Sequence, residues 1–462
     1  MELKFVRSAA VVVRNKGTEV LCDPWILDGA YYGSWAHHPS DDISIEDYTD
    51  VDYIYVSHIH PDHIHRQTFD RLSTDVPVLI HDFQFDYLKE NVQSMGFDAV
   101  ELPHDERVQL DGDLHINIFA ADNCNPENCG RWFGCDWLDD SSDGYGGSHI
   151  DTMCVFDNGE TTLVNVNDCP FELSKPAARI VKQRYQNINH LLVGYAGAGP
   201  YPQCFANLTR TEKRREALAK RQQFYKQGEQ FVDLFEPDTY TPFAGTYLLQ
   251  GQLHELNEYG GVQSLVEMNE FRGVPSPAEA AKYFKQTAEI DSESHKCVPL
   301  QPGNVFQIED RRRLNQFAPP TKAELEHYIR TELADQRLAY ESDDFPAVEA
   351  LKTKIPDAYE KMEEMRRQIG FKSEKDVLIR LSDQECAKIS MRGDGYEYCE
   401  RSNAREPPYV ELRVDPRLLL RLLKGPKYAH WNNASVGSHI AYQRDPNVYE
   451  RGLSYCLNFF HT

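Results

Sequence analysis

The feature that most constrains this chain is the segment at residues 57–65, which reads SHIHPDHIH. It holds four of the 17 histidines and directly follows the β-rich run VDYIYV. His58 and His60 are two positions apart, so in extended backbone their imidazoles point to the same side and can share one metal ion. Asp62 and His63 lie where the chain turns toward a helix and can face a second ion. The segment therefore predicts two adjacent metal sites built from one loop.

The first 120 residues alternate short β-rich runs with helical stretches, which is typical of an α/β fold. The β-rich runs are AAVVV, TEVLCD, VDYIYV, VPVLIH and LHINIFAA, with helices predicted near 66–72 and 83–95. The runs IDTMCVF and TTLVNVND read as two strands joined by an Asn-Gly turn at 157–159. Helices near 175–186 and 208–234 follow, separated by the strand HLLVGYA.

Chain length and composition predict more than one structural region. The chain has 462 residues, which at roughly 150 residues per domain allows about three domains. Residues 300–320 carry Pro, Gly and a basic triplet before two helical stretches, and this shift in composition predicts a boundary. We expect a catalytic domain over 1–310, a helical connector over 311–370 and a smaller C-terminal α+β region over 371–462.

Charge and apolar patterning exclude several function classes. The formal net charge is −24, so the overall field repels nucleic acids and anionic membranes. The apolar runs near the N-terminus are too short for a signal-peptide core or a membrane span. Most of the 11 cysteines read as reduced thiols in cores, because no zinc-type CxxC pattern is present. We expect a cytoplasmic protein with a small-molecule substrate, and the sequence leaves the oligomeric state open.

The string HxHxDH resembles the signature of the metallo-β-lactamase superfamily. That resemblance implies an αββα sandwich with a dinuclear metal centre at the strand ends, completed by a bridging carboxylate and a further histidine. Asp168 in LVNVNDCP ends a β-rich run as the family's motif requires, and is the predicted bridge. The further histidine is His149 or His254, and Asp151 could replace either one.

Other segments narrow the resemblance. The runs CDPWILDGAYYGSW, NVNDCP, GYAGAGPYPQCF and PFAG, together with the terminal HWNNASVGSHIAYQRDPNVYERGLSYCLNFFH, resemble the lactamase-fold part of CMP-N-acetylneuraminate hydroxylase and its bacterial relatives that act on amino sugars. Those hydroxylases also carry a Rieske iron–sulfur domain. Its CxH and CxxH ligand patterns are missing from this sequence, so we expect no Rieske cluster in this chain.

Two enzyme functions follow from this interpretation. The first is a di-iron oxygenase that hydroxylates a small biosynthetic intermediate such as a nucleotide-activated amino sugar, with electrons from a separate donor protein or from the substrate. The second is a dizinc hydrolase of a phosphodiester, lactone or amide. Imidazole ligands serve both metals, so ligand type does not separate the two functions. A non-catalytic scaffold is a third alternative, and the intact ligand string argues against it.

Roles follow for individual residues. For the oxygenase, the resemblance makes His58, His60, His63 and His149 ligands, Asp62 a terminal ligand and Asp168 the bridge, and the two aspartates are the predicted catalytic residues. A second group of residues is predicted to bind substrate: Tyr201, Trp25 and Trp35. The basic residues of the helix at 209–221 could meet a phosphate or carboxylate of the substrate, although a solvated helix face is the favoured interpretation.

Overall fold

The computed structural model describes residues 1–38, 43–83, 85–121, 151–259, 296–318 and 320–462. The strands of the first half are β1 (Glu2–Arg7), β2 (Ala10–Asn15), β3 (Thr18–Cys22), β4 (Trp35–Ala36), β5 (Tyr53–Tyr55), β6 (Val78–His81), β7 (Ala99–Leu102), β8 (Arg107–Gln109), β9 (His115–Ala120), β10 (Thr152–Asp157), β11 (Thr162–Asn165) and β12 (His190–Gly194). The strands of the second half are β13 (Thr239–Phe243), β14 (Leu248–Leu249), β15 (Lys296–Cys297), β16 (Val305–Gln307), β17 (Arg312–Arg313), β18 (Asp376–Arg380), β19 (Glu385–Ser390), β20 (Tyr396–Glu400), β21 (Tyr409–Arg413) and β22 (Ala441–Asp445).

The described helices range from single turns to one long helix. They are Ala30–Gly33, Arg66–Phe69, Tyr87–Ser94, Phe171–Arg184, Arg210–Phe235, Lys322–Tyr328, Val348–Lys352, Ile355–Gln368, Arg401–Ala404, Pro416–Leu423, Trp431–Val436 and Arg451–Leu457, with 3₁₀ turns at Ile45–Tyr48 and Gly251–Tyr259 and a π-helical turn at Ile329–Leu333. Within the described residues, none of these helices is both long and apolar enough to cross a bilayer.

Two large sheets pack face to face. The first has eight strands in the order β17-β16-β1-β2-β3-β5-β6-β7, and the second has seven in the order β15-β13-β12-β11-β10-β9-β8. One core cluster joins their inner faces, with Val11, Val13 and Tyr55 from the first sheet and Ile118 and Phe156 from the second. Because side chains alternate along a strand, the intervening Val12 of β2 packs on the opposite, outer face.

Helices cover both outer faces of this sandwich. Leu88 and Val92 of the helix Tyr87–Ser94 pack against the first sheet. The helices Phe171–Arg184 and Arg210–Phe235 pack against the second sheet. The layers are therefore helix, sheet, sheet, helix, and the predicted αββα sandwich is confirmed.

The C-terminal part forms its own layered unit. Its five-stranded sheet has the order β20-β19-β18-β21-β22. The helix Pro416–Leu423 places four leucines in the core of this unit, which extends from Leu338 to Phe460. The predicted smaller α+β region is thus present, and it packs together with residues on the N-terminal side of position 371. The domain limits given above stay predictions.

The described cysteines behave as core thiols. All eight are free, and all except the partly exposed Cys399 are buried. The predicted hairpin between β10 and β11 is also confirmed, since Asp157 pairs with Thr162 across the antiparallel ladder.

Candidate metal centre

The histidine-rich loop lies between the two sheets, at the carboxyl ends of parallel strands. It follows β5, whose parallel neighbours are β3 and β6. The loop turns tightly, since the backbone amides of His63 and Ile64 both donate to the His60 carbonyl, at 2.9 and 3.0 Å. The hydroxyl of Thr152, on β10 of the second sheet, donates to the Ser57 carbonyl at 2.8 Å. Both sheets therefore fix the position of this loop.

The first group of candidate ligands contains His58, His60 and Asp151. Their donor atoms all lie within 4.8 Å of one another. His58 Nε2 is 2.8 Å from His60 Nδ1 and 3.6 Å from an Asp151 carboxylate oxygen. Asp151 reaches this place because it directly precedes β10, whose first residue, Thr152, contacts the histidine-rich loop.

The second group is centred on His63. Its Nε2 atom is buried, has no hydrogen-bond partner of good geometry among the described residues, and lies 3.4 Å from an Asp168 oxygen and 3.7 Å from an Asp62 oxygen. Asp168 follows β11, which runs antiparallel to β10, so the end of β11 and the start of β10 meet at one edge. A buried imidazole nitrogen that faces two carboxylates without hydrogen bonds suits a metal ion between them.

His58 lies within reach of both groups. Besides His60 and Asp151, it forms a possible ligand group with His63 and Asp168. Because one nitrogen atom binds one ion, an allocation that fits two ions gives His58, His60 and Asp151 to one and Asp62, His63 and Asp168 to the other. This set contains three imidazoles and three carboxylates, all of which are ordinary ligands of iron and zinc. The residues therefore fit a dinuclear centre.

Asp23 and Ser57 hold the ligand histidines from behind. Asp23 is fully buried and accepts hydrogen bonds from the Ser57 amide at 2.7 Å and from its hydroxyl at 2.8 Å. The other ring nitrogen of His63, Nδ1, is 3.1 Å from the Asp23 carboxylate, and Nδ1 of His58 is 3.0 Å from the Ser57 hydroxyl. Fixing Nδ1 orients each ring so that Nε2 faces the metal site.

Tyr31 connects the site to the C-terminal region. Its hydroxyl donates to Asp62 Oδ1 at 2.6 Å. Its carbonyl accepts a hydrogen bond from His439 Nε2 at 2.7 Å, and His439 Nδ1 lies 3.1 Å from the Tyr340 hydroxyl. Burial lowers the pKa of His439 to about 4, so the ring is neutral and its Nδ1 accepts from Tyr340.

Burial and neighbouring charges set the protonation of the site. Burial lowers the pKa of His58 and of His60, which favours the neutral form that binds metal. Burial raises the pKa of Asp62. For His63, burial acts to lower the pKa, but the carboxylates of Asp168, Asp23 and Asp62 outweigh it and raise the pKa. That net negative environment is one that a divalent cation neutralises.

A cavity of about 780 Å³ opens onto the candidate ligands. His60, Asp151 and Asp168 line it, and so do residues of the C-terminal region such as Trp431 and Arg444. The Asp168 side chain keeps 35% of its surface exposed. A substrate in this cavity would therefore contact both the metal end and the C-terminal region.

The structure brings most of the predicted ligands together. His58, His60, Asp62, His63 and Asp168 meet at one place, joined by Asp151, which the sequence left as an alternative. The prediction for His149 lies outside the described residues. His254 sits in the 3₁₀ turn Gly251–Tyr259, where its Nδ1 is 2.9 Å from the Gly251 carbonyl, and it joins neither ligand group among the described residues.

The three predicted substrate residues occupy different surroundings. Tyr201 lines the cavity, and its hydroxyl donates to Glu216 at 2.9 Å. Trp25 and Trp35 are buried in an aromatic cluster with Tyr31 and are not among the residues that line this cavity. Their packing supports Tyr31 from behind, since the rings of Trp35 and Tyr31 are 4.5 Å apart.

The sequence reasoning missed Asp23 and Tyr31. A signal for Asp23 was available, because it follows β3, the parallel neighbour of the strand that carries the histidine loop. No local pattern pointed to Tyr31, whose backbone has a φ of 51° and whose role depends on the tertiary fold.

Comparison with known proteins supports the architecture. Residues 18–136 match the family model described as a beta-lactamase superfamily domain. A search of curated protein sequences finds no match.

Solved structures with a similar arrangement include enzymes of two kinds. The isothiocyanate hydrolase from Delia radicum gut bacteria is 14% identical, with a TM-score of 0.43 over 66% of this chain and 99% of that one. The metallo hydrolase Igni18 from Ignicoccus hospitalis is 14% identical, with a TM-score of 0.37 over 66% of this chain and 98% of that one. CmlA, a diiron beta-hydroxylase from Streptomyces venezuelae, is 16% identical, with a TM-score of 0.39 over 68% of this chain and 54% of that one. The two facing sheets with covering helices have the layer order of the metallo-β-lactamase fold, and residues 18–136 match the beta-lactamase superfamily domain.

Proposed function

We propose that this protein is a dinuclear iron oxygenase that hydroxylates a small molecule. The observation that carries the proposal is the ligand set His58, His60 and Asp151, which combines two imidazoles with one carboxylate. That combination, with positions left open, is typical of non-haem iron oxygenases. The second set, Asp62, His63 and Asp168, adds two more carboxylates, and mixed carboxylate and histidine ligands are also typical of di-iron proteins.

The surroundings of Asp168 support its proposed role as a ligand shared by both groups. It is 3.4 Å from His63 Nε2 and also belongs to a candidate ligand group with His58. Its partly exposed side chain lines the cavity. His58, His60 and Asp151 would hold one iron, Asp62 and His63 would hold the other, and Asp168 would be available to both.

The chemistry divides between the metals and the protein. When bound, an iron pair with open positions would supply the reduction of dioxygen that hydroxylation requires. Asp23 and Ser57 keep the rings of His58 and His63 oriented. The Tyr31 hydroxyl donates a hydrogen bond to Asp62 and so fixes that carboxylate. The cavity walls position the substrate beside His60 and Asp168 and displace water from that end.

Hydroxylation with dioxygen inserts one oxygen atom into a C–H bond and reduces the other to water, which consumes two electrons and two protons. Since the sequence carries no CxH or CxxH pattern for a Rieske cluster, the proposal includes a separate electron-donor protein or a substrate that supplies the electrons. A nucleotide-activated amino sugar is one substrate that this proposal accommodates.

The test is elemental analysis of protein purified anaerobically from cells supplied with both iron and zinc. We expect about two irons per chain and an oxo-bridged charge-transfer band after exposure to oxygen. Asp168→Ala should lose metal, whereas Asp344→Ala, which changes an exposed aspartate far along the chain, should keep it. About two zincs per chain and no band would overturn the oxygenase and favour a zinc hydrolase.

A further inference from the structure

We propose that the wall of this cavity formed by Arg444 and Lys220 binds an anionic group of the substrate. The substrate would then be a small molecule with a carboxylate or phosphoryl group at a distance from the reacting carbon. This inference rests on the proposed function, because it takes the metal end of the same cavity as the place of reaction.

The two cations come from different regions and meet on one cavity. Lys220 belongs to the helix Arg210–Phe235 of the sandwich, and Arg444 belongs to β22 of the C-terminal sheet. Both line the cavity that His60, Asp151 and Asp168 also line. A substrate bound in this cavity could therefore contact the cations and the metal ligands at the same time.

Neither cation forms an ion pair within the described part of the chain. Lys220 Nζ donates only to carbonyls, those of Ala198 at 2.8 Å and Tyr201 at 3.1 Å. Arg444 Nε donates to the Asn447 side chain at 2.7 Å. Uncompensated cations on one cavity are notable in a chain whose acidic residues outnumber basic ones by 73 to 49.

Other charged groups on the cavity wall are already engaged. Lys375 is 3.0 Å from the Glu450 carboxylate and also donates to the Val448 carbonyl at 2.7 Å. Glu216 accepts from the Tyr201 hydroxyl at 2.9 Å and pairs with Arg215 at 3.0 Å. Glu450 also favours the charged form of Arg444, but its carboxylate pairs with Lys375. Arg444 and Lys220 therefore remain without an ion pair among the described residues.

The free donors suit an oxyanion. A guanidinium has five N–H donors, and the terminal nitrogens of Arg444 can bind a carboxylate or phosphoryl group through two parallel hydrogen bonds. Lys220 has three donors, of which two are used. Burial lowers the pKa of Arg444, and it lowers the pKa of Lys220 to about 8. A bound anion would offset that cost by stabilising both charged forms.

Aromatic rings hold Arg444 in place and line the middle of the cavity. Its guanidinium lies 4.5 Å from the centre of the Phe205 ring. Phe205 stacks on Tyr442 with ring centres 4.9 Å apart and 11° between the planes, and it meets Tyr201 edge-on at 5.1 Å. This arrangement preorganises the cation and offers an apolar surface to a ring in the substrate.

Backbone hydrogen bonds fix the junction between the two regions at this wall. The amide of Ala206 donates to the Tyr442 carbonyl at 2.7 Å, and the amide of Tyr442 donates to the Cys204 carbonyl at 2.9 Å. The anion site therefore exists only when the sandwich and the C-terminal region are packed together.

Isothermal titration calorimetry of the full-length, metal-loaded protein tests the proposal with three probes of similar size: phenyl phosphate, benzoate and benzyl alcohol. We expect the anions to bind more tightly than the alcohol. Arg444→Gln should weaken anion binding about tenfold or more, and Lys220→Gln by a smaller factor. Arg444→Lys should recover part of the affinity, and Arg413→Gln, an exposed arginine on the adjacent strand β21, should change nothing.

A metal-depleted Asp168→Ala protein separates this inference from the proposed function. If the cationic wall binds the anion, phenyl phosphate or benzoate still binds this variant, and Arg444→Gln in that background removes the binding. Whichever of the two anions binds more tightly identifies the charged group. Equal affinity for the alcohol, absence of anion binding, or anion binding that follows the metals and ignores Arg444 would each overturn the inference. Metal content and oxygen reactivity, measured separately, judge the oxygenase.

Discussion

The two ends of the cavity are built in different ways. At the metal end, four of the donor residues lie within one short loop, His58 to His63, and buried polar contacts with Asp23 and Ser57 hold them. The far wall, meaning the wall with Tyr201, Lys220 and Arg444, joins two residues of the sandwich to one of the C-terminal region, and the Phe205 ring packs on Arg444.

This difference separates the residues that would hold the metals from the residues that would recognise the substrate. A short loop between two sheets keeps metal ligands in register whatever the substrate, because its geometry depends on adjacent residues. A wall assembled across two regions can vary in charge and shape without disturbing the ligands. We therefore expect changes at one end to leave the other end largely intact.

The largest effect is expected from His58→Ala. His58 belongs to both candidate ligand groups, so its loss should lower the metal content from about two ions per chain to well under one. Metal analysis measures the effect, with the exposed His327→Ala as the matched control. Benzoate binding at the far wall should change by less than about twofold, because this variant removes no group that contacts the anion. A retained pair of ions would show that other residues form the centre.

The next effect is expected from Asp23→Ala, which changes no candidate ligand. The substitution leaves the buried Ser57 amide and hydroxyl without their acceptor and frees the His63 ring to rotate. Metal affinity should fall by about 10–100-fold, which is typical when the outer partner of a ligand is lost. Competition with a chelator measures this change. Asp98→Ala, at an exposed position before β7, should bind metal as the unmodified protein does.

Acidification should act on the junction between the two regions. The folded pKa of His439 is about 4, below the ordinary value of 6.5, because burial outweighs the opposing influence of the Tyr31 carbonyl and Asp415. Above pH 6.5 both states are neutral at this residue, whereas below it only the unfolded chain takes up the proton. Stability is therefore lost as the pH falls from about 6.5 toward 4, by about 2 kcal/mol at pH 5.

Urea denaturation at pH 7 and pH 5 measures this effect. His439→Gln should reduce the drop in the free energy of unfolding between the two pH values, whereas His327→Gln, an exposed histidine, should leave the drop as it is. An unchanged drop in His439→Gln would mean that the buried ring contributes nothing to acid sensitivity.

The resemblance to the metallo-β-lactamase superfamily predicted the sandwich, and local patterns predicted which residues of the histidine-rich loop could meet. Continuous apolar runs such as β2 are buried on both faces, and the register of His58 and His60 follows from a two-residue period. The predicted Asp168 and the alternative Asp151 reached the site because they flank β10 and β11, which are neighbours in one sheet.

The far wall could not be predicted in the same way. Nothing in the runs that contain Tyr201 and Arg444 indicates that Phe205 and Tyr442 stack on each other, since that contact depends on how the two regions pack together. Trp25 and Trp35 were predicted at the substrate, and they instead pack around Tyr31 in the interior. Aromatic content identifies neither a cavity wall nor a core, because both bury large rings.

The smallest effect is expected from Tyr31→Phe, and it tests whether the two ends are fully independent. The Tyr31 hydroxyl donates to Asp62 Oδ1, whereas its carbonyl is held by His439 of the C-terminal region. Loss of the hydroxyl leaves Asp62 Oδ2 facing His63 but removes the contact that orients the carboxylate. Metal affinity should fall by about three- to tenfold, in keeping with the net contribution of one ordinary hydrogen bond, with unchanged metal content at saturation.

Tyr53→Phe is the matched control, since its hydroxyl also donates to an aspartate, Asp111, at 3.1 Å but on the exposed side of the molecule. If Tyr31→Phe behaves like this control in chelator competition, the loop alone orients Asp62. If His439→Gln lowers metal affinity as Tyr31→Phe does, the C-terminal region acts on the metal centre through the Tyr31 backbone. In that case the C-terminal region, which contributes Arg444 to the anion-binding wall, would also affect the orientation of Asp62. Substrate binding and the geometry of the metal ligands would then be coupled through Tyr31.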